Sequence, residues 1–213
     1  MNTSAEPPIL TIGELLRRLG DIPPDRVRFK PAPGTAIIDD LLRPENEGCE
    51  LVEGTLVEKA VGWQESNLGG WILTLLNNFI IPRNLGKASG EQGLVELPGG
   101  PVRGPDVTFV SWDRLAGRRA PVDPIPELAP DLVVEVLSRS NTPGEMTRKR
   151  GEYFRAGVRL VWEIDPRART VRVYTSETAY TDLTAAETLD GGAVLPGFTL
   201  PLTDLFAELD RHG

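Results

Sequence analysis

Two acidic residues interrupt apolar strands: Asp106 opens Pro105-Asp106-Val107-Thr108-Phe109-Val110, and Glu135 stands inside Leu132-Val133-Val134-Glu135-Val136-Leu137. A carboxylate in a run of buried-type residues carries a large desolvation penalty unless a cation or a hydrogen-bond donor compensates it. Something must therefore sit opposite each of them. Fourteen residues past Glu135, a helix-forming stretch supplies Lys149. Two acids converging on a hard metal ion beside a lysine is the equipment of phosphodiester hydrolysis. Mg²⁺ takes one or two carboxylate oxygens and fills its other positions with water and substrate phosphate; Mn²⁺ tolerates the same ligands. The backbone carbonyl of Val136 is a further candidate oxygen, and Glu65 a further candidate carboxylate.

Taken singly, each residue has a plainer meaning. A Pro-Asp pair is commonly a turn, and a buried Glu135 could simply pair with Arg103 or Arg139. Lys149 alone reads as a solvated helix residue, and Glu65 suits the positive end of a helix dipole. Their order along the chain, on a strand, its neighbour and the following helix, favours a shared site. Other motifs carry less. Gly90-Glu91-Gln92-Gly93 lacks the lysine and helix of a phosphate loop and reads as a turn. Trp63, Trp71, Trp112 and Trp162 are scattered without basic neighbours, which points to core or interface rather than base stacking. Arg148-Lys149-Arg150 is the one compact basic cluster on a helix, and a solvated face is its commoner meaning.

The elements that would position these residues are legible. Thr11-Ile12-Gly13-Glu14 is a capping-box pattern before Leu15, Leu16 and Leu19, with Gly20 as a stop. Residues 49–59 read as two short strands turning at Glu53-Gly54. From Glu65, the residues Leu68, Trp71, Ile72, Leu75, Leu76 and Phe79 mark one face of a long helix that should end before Pro82. A strand around Gln92–Leu97, a Gly-Gly-Pro turn, the Asp106 strand, a Pro-rich loop over 121–130 and the Glu135 strand follow. Thr142-Pro143-Gly144-Glu145 supplies an N-cap, a first-turn proline and an acid for a helix stopping at Gly157, with Lys149 on the face shared with Met146 and Tyr153. Val158–Ile164 and Thr170–Thr175 complete a strand pair turning at Asp165-Pro166. A strand, crossover helix and further strand can lie parallel, so the expected fold is α/β with a mixed central sheet flanked by helices.

Composition narrows the chemistry. The 213 residues can bury a substantial core, and no run is long enough to cross a bilayer. A soluble, cytoplasmic protein is expected, with no membrane partner. Cys49 is alone, which excludes an intrachain disulfide and a cysteine zinc cluster and leaves a small half-buried thiol. His212, the only histidine, stands next to the last residue and reads as solvated tail, so Ser-His-Asp triads and histidine-ligated metal sites are excluded. Catalysis must run on carboxylates, lysine, hydroxyls or a metal. The net charge of −8 opposes nucleic-acid binding, although charge can be segregated and a metal ion offsets part of it.

As a set, Glu50-Leu51-Val52-Glu53-Gly54, Pro105-Asp106-Val107, Pro130 to Ser138, Lys149 with Tyr153, Ala156-Gly157-Val158, Val161 to Pro166 and the segment from Leu195 to Phe206 resemble the PD-(D/E)XK nuclease superfamily. Within it they are similar to the bacterial group named Uma-type putative restriction endonucleases. The resemblance runs from about Asp39 to Leu209. It implies a restriction-endonuclease-like αβββαβ core with Asp106 and Glu135 as metal ligands. Leu137 stands where the superfamily usually has its lysine, and the group looks as though that lysine has moved to the next helix, here Lys149. Many relatives carry a histidine near the start of the long helix, where this chain has Gln64-Glu65. The expected organisation is an N-terminal helix and irregular arm over 1–48, a nuclease domain over 49–209 and a tail over 210–213. The expected activity is Mg²⁺-dependent cleavage of DNA, for which a symmetric homodimer would serve duplex cutting. The alternative is a non-cleaving module of the same fold that binds nucleic acid or protein; a carboxylate-pair glycosidase is a weaker third reading.

Overall fold

The computed structural model describes residues 11–60 and 62–212. The first ten residues of the expected arm and the last residue of the expected tail lie outside the described residues. Helix α1 (Ile12–Arg18) starts where Thr11 Oγ1 accepts the N–H of Glu14, as the capping pattern predicts, and Gly20 follows it with φ +87°. A single turn, α2 (Ile38–Leu41), leads into β1 (Cys49–Val52) and β2 (Thr55–Glu58). Glu53 and Gly54 both take positive φ, the requirement of the tight turn that matches strand twist. Leu15, Leu19, Ile22 and Val27 pack on Val52 and Val57, so the described arm lies against the hairpin. Cys49 is fully buried there rather than half-buried.

Helix α3 (Trp63–Arg83) buries Leu68, Ile72, Leu76 and Ile80, a four-residue stripe, with Trp71, Leu75 and Phe79 partly covered. It runs two residues further than expected. Pro82 falls in its last turn, and Asn84 closes it in the left-handed conformation. The strand expected around Gln92–Leu97 shrinks to β4 (Val95–Glu96), while the preceding β3 (Gly86–Gly90) was not foreseen. β3 is an edge strand of small and polar residues, held by pairing with β6 (Val107–Ser111) rather than by its own apolar pattern. Between them β5 (Val102–Arg103) joins β4 and β1 in a second, four-stranded sheet. β7 (Leu132–Val136), α4 (Pro143–Ala156) and β8 (Leu160–Asp165) form the expected parallel crossover, with Thr142 capping α4 and Gly157 ending it at φ +97°. β9 (Thr170–Tyr174) and β10 (Tyr180–Thr184) extend the central sheet, and β11 (Thr188–Asp190), β12 (Thr199–Pro201) and α5 (Leu202–Ala207) finish the chain.

The central sheet has the order β10-β9-β8-β7-β6-β3, parallel only between β7 and β8. Reading α3-β3-β6-β7-α4-β8 along the chain gives the αβββαβ core. Its α3 face buries Val107, Phe109, Leu132, Val134, Val136, Leu160, Trp162 and Ile164 with Leu202, Leu205 and Phe206 of the C-terminal segment. The opposite face packs Val133 and Val161 against Tyr153 of α4. No helix among the described residues is long and apolar enough to cross a membrane.

Candidate active site

Strand alternation decides where Glu135 goes. Leu132, Val134 and Val136 point into the α3 core, so Glu135 and Val133 must point to the α4 side. Asp106 arrives from the other direction. The β6–β7 ladder ends at Val107 opposite Val134, and Asp106, the residue before it, uses Oδ2 to accept the N–H of Val136 at 2.7 Å. The two acids are thus held at one end of two adjacent strands. Gly69 of α3 faces Asp106 closely enough that an added Cβ would stand 3.7 Å from the Asp106 Cβ.

α4 supplies the cation. Lys149 is buried, with Nζ 3.2 and 3.3 Å from the two Glu135 oxygens and 3.3 Å from Oε1 of Glu50. Four residues on, the Tyr153 hydroxyl donates to Glu135 Oε1 at 2.5 Å. Glu50 comes from β1 of the second sheet. Arg103 of β5 binds it at 2.7 Å and also binds Glu152 of α4 at 2.5 Å, while the N–H of Gly104 donates to its other oxygen. This ion-pair network docks the second sheet on α4 and closes the site from that side.

Charge follows geometry. Burial, and then the charge of Glu135, push the Asp106 carboxyl up to about 6 against the pull of Lys59 and the Val136 N–H. Burial also acts on Glu50, but Lys149, Arg103 and Lys59 outweigh it and hold Glu50 at about 2. Desolvation would lower Lys149, yet Glu135 and Glu50 raise it above the usual lysine range. Burial and Glu135 raise Tyr153 well above an ordinary phenol, so its hydroxyl keeps its proton.

A family model, Uma2, described as "Putative restriction endonuclease", matches residues 38–203. The chain belongs to this family. The Uma2 match spans α2 to the start of α5 and includes Glu50, Lys59, Asp106, Glu135, Lys149 and Tyr153. No curated protein matches the sequence. Among solved structures, a putative nuclease belonging to DUF820 from Anabaena variabilis ATCC 29413 is 23% identical, with a TM-score of 0.70 over 80% of this chain and 96% of that one. That likeness shows the fold, and with it the restriction-endonuclease-like architecture of the Uma2 chain.

The resemblance to that superfamily implies a divalent metal ion, and the residues present fit one. The donors are hard oxygens: Glu50 is paired with Arg103 and Lys149, Glu135 with Lys149, and Asp106 has as its cation only the longer contact to Lys59 among the described residues. Asp106, raised to about 6, is the group left short of positive charge. Among the described residues no three acidic, histidine or cysteine side chains form a ready-made metal cage. Mg²⁺ does not need one, since one or two protein carboxylates suffice.

Asp106, Glu135 and Lys149 are therefore brought together. Val136, expected to offer its carbonyl oxygen, is joined to them by its N–H, which donates to Asp106. Glu65 is not drawn in. Its carboxylate folds back over Gly62 at the start of α3. Glu135 pairs with Lys149, neither with Arg103 nor with Arg139. The basic cluster is not a solvated face: Arg148 turns to Glu53 and Glu152, and Arg150 to Glu163. The Trp residues divide, Trp162 being fully buried against Phe198 while Trp63 is exposed. Glu50 and Lys59 escaped sequence reasoning as site residues. An acid inside the apolar strand Cys49–Val52 was the available signal for Glu50; Lys59, at a hairpin end, gave none.

Proposed function

We propose that this chain is a Mg²⁺-dependent endonuclease that hydrolyses phosphodiester bonds of DNA, with Asp106 and Glu135 as metal ligands and Mn²⁺ as a substitute ion. Membership of the family described as "Putative restriction endonuclease" and the fold shared with the putative nuclease from Anabaena variabilis support a nuclease function. The observation that carries the reading is the convergence of Asp106, Glu135 and Lys149, from β6, β7 and α4, in one buried cluster.

Bound at the two carboxylates, a divalent ion supplies Lewis-acid activation of the scissile phosphate and a water of lowered pKa. The protein's own groups do the rest. Val136 N–H and Tyr153 hydroxyl fix the two carboxylates in place. Lys149, kept protonated between Glu135 and Glu50, serves as a donor and a positive charge, not as a base, and offsets charge that develops on the phosphate oxygens. Duplex cutting would call for a symmetric pair of such sites.

Plasmid cleavage with Mg²⁺, Mn²⁺ or EDTA tests this. Cleavage is expected with either metal, none in EDTA, and none for Asp106→Ala or Glu135→Ala with circular dichroism unchanged. Equal cutting by both variants would overturn it. The inward-turned basic cluster and the net charge of −8 favour a second reading, a binding module that does not cut. Calorimetry with Mn²⁺ separates the two, because such a module has no need of metal at Asp106.

A further inference from the structure

Lys59 follows β2, at the end of a hairpin, where a lysine ordinarily reaches into water. Here its side chain is 7% exposed. Burying an ammonium is costly unless partners replace its hydration. Its ammonium meets the carbonyl of Glu91 at 3.1 Å and Asp106 Oδ1 at 3.6 Å. Asp106 Oδ2 is occupied by the Val136 N–H, so Lys59 stands beside the carboxylate's other oxygen. The acid pair is thereby flanked by two lysines from unrelated elements: Lys149 on Glu135 and Lys59 on Asp106.

The surroundings of Asp106 leave room for a ligand. A cavity of about 160 Å³ opens there between α3 and the turn after β3, walled by Asp106, Glu91, Ser66, Leu73 and the glycines at 69, 70 and 90, with Lys59 directly behind Glu91 and Asp106. Gly70 has nothing within 4 Å of where a Cβ would be, so at that point of the wall α3 presents bare backbone that a ligand can approach closely. Glu91, whose carbonyl holds Lys59, is itself fixed by a hydrogen bond from Ser66 Oγ to its carboxylate at 2.9 Å. Lys59 is therefore anchored by the Glu91 carbonyl, and its 3.6 Å approach to Asp106 is longer than a charge-assisted hydrogen bond.

We propose that Lys59 is a second phosphate-contacting lysine of this centre, supplied by the hairpin rather than by α4. The assignment rests on the nuclease reading for its substrate and adds to it the group that meets the phosphate on the Asp106 side. A lysine that only balanced Asp106 would act on metal binding; one that touches phosphate acts on the anion.

The test uses the full chain with Lys59→Met, Lys59→Gln, which keeps a donor for the Glu91 carbonyl, and Lys59→Arg. Three quantities are measured: Mn²⁺ affinity by calorimetry, affinity for inorganic phosphate in the presence of Mn²⁺, and single-turnover cleavage of a DNA duplex. Met and Gln variants are expected to bind Mn²⁺ at least as tightly as wild type and phosphate about ten- to a hundredfold more weakly. Their cleavage should fall on the order of a hundredfold, with part of both losses recovered in Lys59→Arg. Unchanged phosphate affinity in Met and Gln, phosphate binding by none of the proteins, or a parallel loss of Mn²⁺ and phosphate would overturn the assignment. If wild type cuts no DNA yet the phosphate and Mn²⁺ results come out as expected, the nuclease reading fails while Lys59 stands as an anion-binding residue.

Discussion

The Asp106 carboxylate accepts the backbone N–H of Val136 at 2.7 Å, one residue past Glu135, and so extends the β6–β7 ladder beyond its last backbone pair. A side chain takes over from the main chain at the point where the two strands diverge. Asn can accept the same bond through its carbonyl, whereas Ala leaves the N–H unpaired. Asp106→Asn should therefore fold like wild type and lose at least about a hundredfold in cleavage. Asp106→Ala should lose as much activity and give up in addition about 1 to 3 kcal/mol from the orphaned N–H, set against relief of a poorly compensated charge. Urea unfolding of both variants beside a cleavage assay checks the split.

Stability should carry the mark of the two most shifted carboxylates. Asp106 has a folded value of about 6, above its unfolded value, so between about pH 4 and 6 the folded chain keeps a proton that the unfolded chain has lost. Stability from this group thus falls as pH rises through that window and is level above it. Glu50, held at about 2, works in the other sense: its contribution is complete above about pH 4.5 and is lost as pH drops toward 2. In EDTA, urea midpoints of Asp106→Asn should lack the decline between pH 4 and 6, on the order of 2 to 3 kcal/mol, and keep the acid-side loss. An unchanged slope in that variant would assign the decline to another group.

Lys149 holds two buried acids at once, Glu135 and Glu50. Lys149→Met leaves both without their shared cation and should cost about 3 to 5 kcal/mol. Adding Glu135→Gln to that variant should recover part of the loss, since it removes one stranded charge. A double-mutant cycle read by chemical unfolding measures the coupling.

Metal should stabilise the fold through the same carboxylates. At roughly a hundred times its dissociation constant, Mg²⁺ is expected to add about 2.7 kcal/mol, seen as a rise in Tm. Asp106→Asn should show no rise. The wild-type effect should fade below pH 6, where protons compete for Asp106.

Much of the core was legible because local rules and tertiary packing agree. Thr142, Pro143 and Gly157 bound α4 as capping chemistry requires, and the apolar runs around Asp106 and Glu135 are the central strands. β3 was missed because Gly86-Lys-Ala-Ser-Gly has neither β-branched residues nor a hydrophobic alternation; it exists through its pairing with β6. α3 overran its expected end because Pro82 gives up only its own bond to the carbonyl four residues back, while the N–H groups of Asn84 and Leu85 still close on the carbonyls of Ile81 and Ile80. The basic run 148–150 read as solvated because one-dimensional charge gives no hint of Glu53 and Glu163, which the fold turns toward it; only Arg148 with Glu152 is a local i,i+4 pair.

By itself, the sequence determined which groups must be compensated: a carboxylate within an apolar strand has to meet a cation or donor, and Asp106, Glu135 and Lys149 were the residues able to meet. Only the tertiary structure decided which other groups would complete the cluster. Glu50 enters because Arg103 ties β1 and β5 to α4, and Lys59 because the hairpin end brings its ammonium against the Glu91 carbonyl and Asp106. Those contacts span residues far apart in the chain, and no local propensity encodes a partner whose position is set by the docking of two sheets.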